Sequence, residues 1–203
     1  MSGPETMYEF DTATEVGADG GTTIHDGWDI NGNANGGYLM ALAARGMLAA
    51  AGRPDPITVT GHYLAPGKPG PARIDTHVVK QGRRFTTVTG QVVAGDRTVL
   101  QLVGAFGDLA SAPAGYEHID VGPPDLPSFE ECTPRSPQQG AVPLGLTQHL
   151  DIRIHPDQSG WVRGDRNGVP EMAGWFSFRD GRPIDTLALL LICDAFPPAV
   201  FHL

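Results

Sequence analysis

The chain has 203 residues with 40% hydrophobic side chains, enough for one large domain or two small ones around a substantial core. Fourteen Lys and Arg stand against 23 Asp and Glu, and the formal charge of -9 has the wrong sign for a nucleic-acid or anionic-membrane partner. No stretch reaches the ~18 apolar residues of a membrane span, and "MSGPETMYEF" has no cationic segment before an apolar run, so a soluble cytoplasmic protein is expected.

In chain order, "FDTATEV" (Phe10 to Val16) and "TTIHDGW" (Thr22 to Trp28) read as short strands joined by a Gly-rich turn. "NGGYLMALAARG" (Asn35 to Gly46) opens a helix that runs to Ala51 and carries almost no charge except Arg45. A helix apolar nearly all round belongs in a core. Its start is unusual, because Gly36 and Gly37 are poor helix formers. Bare backbone there lets amides reach an anionic ligand group, or lets the helix pack closely on a neighbour. "RPDP" ends the helix.

Four extended segments follow, "ITVTGHYLAP", "GPARIDTHVVKQG", "RRFTTVTGQVVAG" and "DRTVLQLVGAFGD", separated by Gly or Pro turns as in an antiparallel meander. One buried helix and a meander make an α+β arrangement, with the sheet curved around the helix. Residues 109–145 are rich in Pro, Gly, Ser and Glu and read as an extended linker between a first domain, 1–108, and a second, 146–203. In the second, "LTQHLDIRI" and "EMAGWFSFR" read as strands and "PIDTLALLLICDAF" as an apolar helix ended by Pro197 and Pro198. The order strand, strand, helix recurs, so 146–203 looks like a second copy of 7–52 without its meander. Completion of that half by further residues or by another chain is expected.

Several chemistries lack their signatures. G-x-S-x-G, C-x-x-C, H-E-x-x-H, a Walker loop and a dinucleotide fingerprint are all missing, so neither a metal nor a cofactor is expected. The two cysteines, Cys132 and Cys193, are expected to be reduced thiols, one packing as a small hydrophobe.

"WDINGNANGGYLMALAARG", "VTGHYLAPGKPGPARIDTHVVKQGRRFTTVTGQVV" and "MAGWFSFRDGRPIDTLALLLICDAFPPAVF" resemble the TesB-like branch of the double-hotdog acyl-CoA thioesterases. The resemblance implies two hotdogs in one chain, each a helix wrapped by a curved antiparallel sheet, and hydrolysis of an acyl-CoA to free acid and CoA. It implies a homo-oligomer built through hotdog sheets. It also implies further strands carrying a Ser or Thr and a Gln, which lie outside this chain, so the second hotdog is expected to be incomplete at its C-terminus.

By the same resemblance, single-hotdog thioesterases with a helix-starting HGG or NGG motif imply an acid nine residues after the motif's first residue. Nine from Asn35 is Ala44, which has no acid, and nine before Asp194 is Asp185, where no glycine pair stands. The halves look complementary, and the resemblance implies one composite site between them. Asp194 is the candidate general base or water-orienting group, the Gly36 or Gly37 amide the oxyanion donor, and Asn35 a helix cap or a water ligand. A carboxylate inside "LLLICDAF" is costly to bury, so a structural hydrogen bond is the other account of Asp194.

Tyr38 and His62 are candidate substrate contacts, His62 otherwise being a packed or surface histidine. Arg83 and Arg84, with Lys68 and Lys80, are candidates for the CoA phosphates or ordinary hairpin charges. Arg45 is expected to pair with a carboxylate across the hotdog interface. Two other readings remain: a non-catalytic acyl-CoA or acyl-carrier binding protein, and a hotdog hydratase or dehydratase. The hydratase lacks its Asp and His pair, since Asp29 precedes "INGNAN" and the next histidine is His62.

Overall fold

A computed structural model describes residues 7–111, 118–139 and 142–203. In chain order its elements are α1 (Glu9–Ala13), β1 (Gly21–Ile24), β2 (Asp29–Ile30), β3 (Asn33–Ala34), α2 (Gly36–Ala51), β4 (Asp55–Tyr63), β5 (Gly70–Gln81), β6 (Thr86–Ala94) and β7 (Arg97–Gly107). They are followed by β8 (Thr133–Pro134), β9 (Gln138–Gln139), β10 (Val142–Pro143), β11 (Leu150–Ile154), β12 (Gly174–Phe178) and α3 (Thr186–Ile192), with short 3-10 turns between.

The first expected strand is instead a single helical turn. The β-branched threonines of "FDTATEV" favour a strand, but Thr12 Oγ1 donates to the Tyr8 carbonyl at 3.2 Å and Thr14 Oγ1 to the Phe10 carbonyl at 2.8 Å. Phe10 and Ala13, three apart, then share one buried face. Phe10 packs against Trp28 at 5.6 Å and Phe178 at 5.2 Å between ring centroids, which ties this turn to the second half. The internal repeat is therefore looser than strand, strand, helix.

The long apolar helix forms as its composition dictates. Asn35 caps α2 by accepting from the Tyr38 amide at 2.9 Å, and Gly52 ends it in the left-handed conformation at φ 61°. Around it runs a five-stranded sheet, order β1-β5-β6-β7-β4, antiparallel throughout. Thr86, Val88, Gly90 and Val92 of β6 alternate onto the face beneath α2. A side chain at Gly90 would sit 2.7 Å from Met47 Sδ, so the glycine lets α2 lie close on the sheet. This is the hotdog arrangement: an α+β fold with the sheet wrapped on one helix.

The second half has a three-stranded sheet, β12-β11-β8. Its third strand comes from the stretch expected to be linker, because Thr133–Pro134 pairs with Arg153 and Ile154, and Cys132 is buried beside it. Asp185 caps α3, accepting from the Ala188 amide at 2.8 Å. Asp185 and Asn35 thus hold equivalent places, each the N-cap of its hotdog helix.

The halves share a core. Leu187, Ala188 and Leu191 of α3 belong to the same buried cluster as Leu39, Leu42 and Leu102, alongside Leu146 and Ile152. Each fully buried leucine contributes about 2 kcal/mol, so α3 is held firmly on α2. Polar contacts at the junction add direction. Trp28 stacks on His149 at 4.3 Å, His149 Nδ1 meets Glu9 Oε2 at 2.7 Å, and the buried Arg182 donates to Asp11 and Asp185 at 2.9 and 2.7 Å.

Arg45 does not cross the interface as expected. It pairs with Asp11 of its own half at 2.7 Å, and Arg182 makes the crossing to that carboxylate. Burial works against the Asp11 charge, but the hydrogen bonds and charges of Arg182 and Arg45 together hold its pKa below the usual aspartate range.

Candidate active site

The site begins at the N-terminus of α2. Asn35 Oδ1 is committed to the Tyr38 amide, which turns Nδ2 outward, where it donates to Asp194 Oδ2 at 2.9 Å and to the Asp194 carbonyl at 3.0 Å. The Gly37 amide donates to the same Oδ2 at 3.1 Å. Asn35, Gly36, Gly37 and Asp194 are thus brought together from the two halves.

The two glycines do different things. A Cβ on Gly37 would lie 2.7 Å from the Leu190 and Leu191 carbonyls, so Gly37 is what lets the end of α3 rest on the start of α2. A Cβ on Gly36 would lie 3.0 Å from both Asp194 Oδ2 and Tyr63 Oη, in space that faces the site. The Gly37 amide is taken by Asp194, whereas the Gly36 amide has no acceptor among the described residues.

Asp194 is exposed. The expectation of a carboxylate buried in "LLLICDAF" fails because α3 ends at Ile192 and Asp194 stands in the turn beyond it, its amide donating to the Leu191 carbonyl at 3.1 Å. Its Oδ1 has no partner among the described residues and is open to a water. Asp194 stands at the N-terminal end of α2, within hydrogen-bond reach of the Gly37 amide.

Tyr63 completes the wall. Its hydroxyl donates to the Gly36 carbonyl at 2.8 Å. Burial, with the negative charge of Asp194, pushes its pKa up to about 12, so it stays a phenol at any ordinary pH. Gly36, Tyr63 and Asp194, with Ala34, Leu39 and Leu64, line an open cleft of about 500 Å³. It offers a carboxylate oxygen for a water, an unused helix-start amide for a carbonyl oxygen, and apolar walls.

The other candidates lie elsewhere. Tyr38 is fully buried, and its hydroxyl bridges the His25 amide and the Ala13 carbonyl at 3.0 and 2.8 Å, so its side chain serves the core. His62 is exposed on β4 opposite Gln101, and the two-residue period of the strand puts Tyr63, not His62, toward α2. Arg83 and Arg84 are exposed in the β5–β6 turn, where the Arg83 carbonyl accepts from Arg53 Nη2 at 3.0 Å. Arg53 follows the C-terminus of α2, about 24 Å from its start at ~1.5 Å per residue, so this turn sits far from the cleft. Lys80 is exposed on β5, and Lys68, beside the cleft residue Gly67, donates to the Gly32 carbonyl at 3.0 Å. Cys193 is exposed and Cys132 buried. Among the described residues no cluster of three or more His, Cys, Asp or Glu could hold a metal, and no helix is long and apolar enough to cross a membrane.

Tyr63 and Arg135 carry no motif in the sequence. Gly61 gives the one usable signal for Tyr63, since a Cβ there would meet Met40 of α2 at 3.1 Å and residue 63 shares its face. Arg135 follows β8, acts on Asp194 through space, and donates Nη1 to the Ala195 carbonyl.

Comparison with known proteins fits this geometry. Residues 24–107 match the acyl-CoA thioesterase N-terminal domain and residues 126–203 the acyl-CoA thioesterase C-terminal domain. The chain belongs to the acyl-CoA thioesterase family. Its fold is the double hotdog, with a five-stranded first sheet and three strands in the second sheet among the described residues. A candidate thioesterase II of Thermobifida fusca is 30% identical with a TM-score of 0.84, over 98% of this chain and 76% of that one. A hotdog protein of unknown function from Alicyclobacillus acidocaldarius, 22% identical, superimposes with a TM-score of 0.83 over 97% of this chain and 72% of that one, and so supports the fold. An uncharacterised protein of Mycobacterium tuberculosis is 27% identical over 171 residues, 79% of this chain. The chain spans 57% of the length of that relative.

Proposed function

We propose that the protein hydrolyses a fatty-acyl or related acyl-CoA thioester to free acid and CoA at the cleft formed by Gly36, Tyr63 and Asp194. The observation that carries this reading is the placement of Asp194. A carboxylate from the end of one hotdog helix is clamped by Asn35 and Gly37 at the start of the other, with one oxygen left open. That oxygen orients a water and takes its proton as the water oxygen adds to the thioester carbonyl. The Gly36 amide, at the positive end of α2, meets the charge that grows on the carbonyl oxygen. The tetrahedral intermediate collapses with cleavage of the C–S bond, and the proton held by Asp194 passes to the departing thiolate.

Acyl-CoA is then the small-molecule partner, with no cofactor in any step. Assembly into homo-oligomers through hotdog sheets fits the first sheet, where β1 covers only Gly70–Arg73 of β5 and leaves the edge from Asp75 to Gln81 open among the described residues. A cytoplasmic location, where acyl-CoA and reduced thiols coexist, belongs to the same reading.

The test is a panel of acyl-CoAs of increasing chain length with release of the CoA thiol as readout. Turnover above the uncatalysed rate on at least one member is expected. Saturable binding with no thiol release would replace hydrolysis by the binding-protein reading.

A further inference from the structure

We infer that Arg135, which follows β8, is a positioning residue for the proposed hydrolysis: its guanidinium fixes the turn that presents Asp194 to the cleft. The need for it starts in the sequence "CDAFPP". Asp194 and Ala195 lie in the turn beyond α3, and a carbonyl at Ala195 would find its ordinary helical donors three and four residues on. Position 198 is a proline with no N–H, and Pro197 before it stops the helix from continuing. Ala195 is fully buried, so water is a poor substitute. A donor has to come from elsewhere in the chain, and Arg135 Nη1 supplies it to the Ala195 carbonyl.

Arg135 is anchored at its base. Its own amide donates to the Ile152 carbonyl of β11 at 2.8 Å, so the side chain starts from the second sheet. The residue is half-buried, and its guanidinium has no carboxylate at ion-pair distance among the described residues. A cation held there costs free energy that no direct ion pair offsets, and the carboxylate it feels through space is that of Asp194. Two successive carbonyls of the turn are thereby tied to different halves. The Asp194 carbonyl receives Asn35 Nδ2 from the start of α2 at 3.0 Å, and the Ala195 carbonyl receives Arg135 Nη1 from the second sheet. With both held, the Asp194 side chain keeps Oδ2 on Asn35 and the Gly37 amide and leaves Oδ1 open. Loss of the second tie frees the turn to move, and a displacement of about 1 Å is enough to misalign a water and a carbonyl carbon.

This role rests on Asp194 as the group that activates water, and two readouts let the role and the reaction fail separately. Arg135→Met keeps an apolar stem and removes every donor, whereas Arg135→Lys keeps a donor at the end of a stem of similar length. In nuclear magnetic resonance of the nitrogen-labelled protein, the Gly37 amide signal reports its bond to Asp194 Oδ2 without any substrate. That signal is expected to move upfield in Arg135→Met and to stay near its wild-type position in Arg135→Lys. On the acyl-CoA that wild type hydrolyses best, kcat of the methionine variant is expected to fall about tenfold or more with KM within about twofold, and the lysine variant to recover most of it. A merely structural arginine would lower the urea midpoint of Arg135→Met and leave the Gly37 signal and kcat of the folded protein alone. A Gly37 signal or a kcat equal to wild type in folded Arg135→Met overturns the proposal. So does a folded Arg135→Lys with a displaced signal and a low kcat. Absence of turnover by wild type on every acyl-CoA removes the hydrolysis instead, and the Gly37 signal still decides whether Arg135 holds the turn.

Discussion

Asn35 and Asp194 stand 159 positions apart and share two hydrogen bonds, Nδ2 of the asparagine meeting both the carboxylate and the backbone carbonyl of the aspartate. One side chain therefore does two jobs, since its oxygen caps α2 while its nitrogen holds the group proposed to activate water. Asn35→Ala is expected to cost about 1 kcal/mol for the lost cap, seen as a lower urea midpoint, and to lower kcat well beyond what that instability explains. Unchanged kcat in the folded variant would detach the clamp from catalysis.

Gly36→Ala and Gly37→Ala should separate folding from chemistry. At Gly37 the added methyl meets two α3 carbonyls at 2.7 Å, backbone that cannot step aside, so a loss of about 1–3 kcal/mol in urea unfolding is expected. At Gly36 the methyl meets the tips of Asp194 and Tyr63 at 3.0 Å, which can give way. That variant should unfold close to the wild-type midpoint and yet turn over substrate more slowly.

Tyr63→Phe removes the donor from the Gly36 carbonyl and leaves the ring. The carbonyl lies at an open cleft where water can replace the hydroxyl, so a stability change of about 1 kcal/mol or less is expected. The fall should appear in kcat more than in KM, as expected if the hydroxyl orients the first peptide of α2. Because burial and Asp194 push the Tyr63 pKa to about 12, no inflection from this group is expected in the wild-type pH profile below about pH 11. An inflection near pH 9 that Tyr63→Phe abolishes would contradict the placement of the hydroxyl.

Arg182 joins the halves by holding Asp11 and Asp185 at once, with its guanidinium 4.9 Å from the Phe10 ring centroid. Arg182→Ala leaves Asp185 without its cation and Asp11 with Arg45 alone, and should cost about 2 kcal/mol, since both carboxylates are partly exposed and each keeps one other partner.

Acid should act through the same junction. Burial opposes ionisation of both aspartates, but Arg182, with Arg45 and, for Asp185, the Ala188 amide, together outweigh it and leave each pKa below its ordinary value. As pH falls below about 4 the unfolded chain takes up protons before the folded one does. The stability these carboxylates contribute is complete above that range and drains as pH falls toward their lowered folded values. Urea midpoints between pH 7 and pH 3 should fall in the wild type and fall less steeply in Arg182→Ala.

Much of this was legible from residue order, and the gaps have physical causes. The helix start at Asn35 and the absence of an acid at Ala44 point to a partner in the other half, because motif and spacing are local. The two-helix meeting that gives Gly37 its purpose is not local, and it looks in the sequence like one more glycine. The apolar run before Asp194 implies burial only if the helix continues through it, whereas α3 stops at Ile192. Tyr63 lies one residue from His62, and only the register of β4 on β7 decides which of the two faces α2. "FDTATEV" misleads because threonine hydroxyls can bond back to the preceding turn as readily as β-branching can favour a strand.

The account turns on Asp194. The most direct measurement is kcat/KM of Asp194→Asn beside wild type, on the acyl-CoA that wild type hydrolyses best, with the urea midpoint of each recorded. Asparagine keeps the size and the contact with the Asn35 side chain but cannot take a proton from water. A fall of about 100-fold or more with little change in midpoint is the predicted result. Turnover equal to wild type in the folded variant would contradict it.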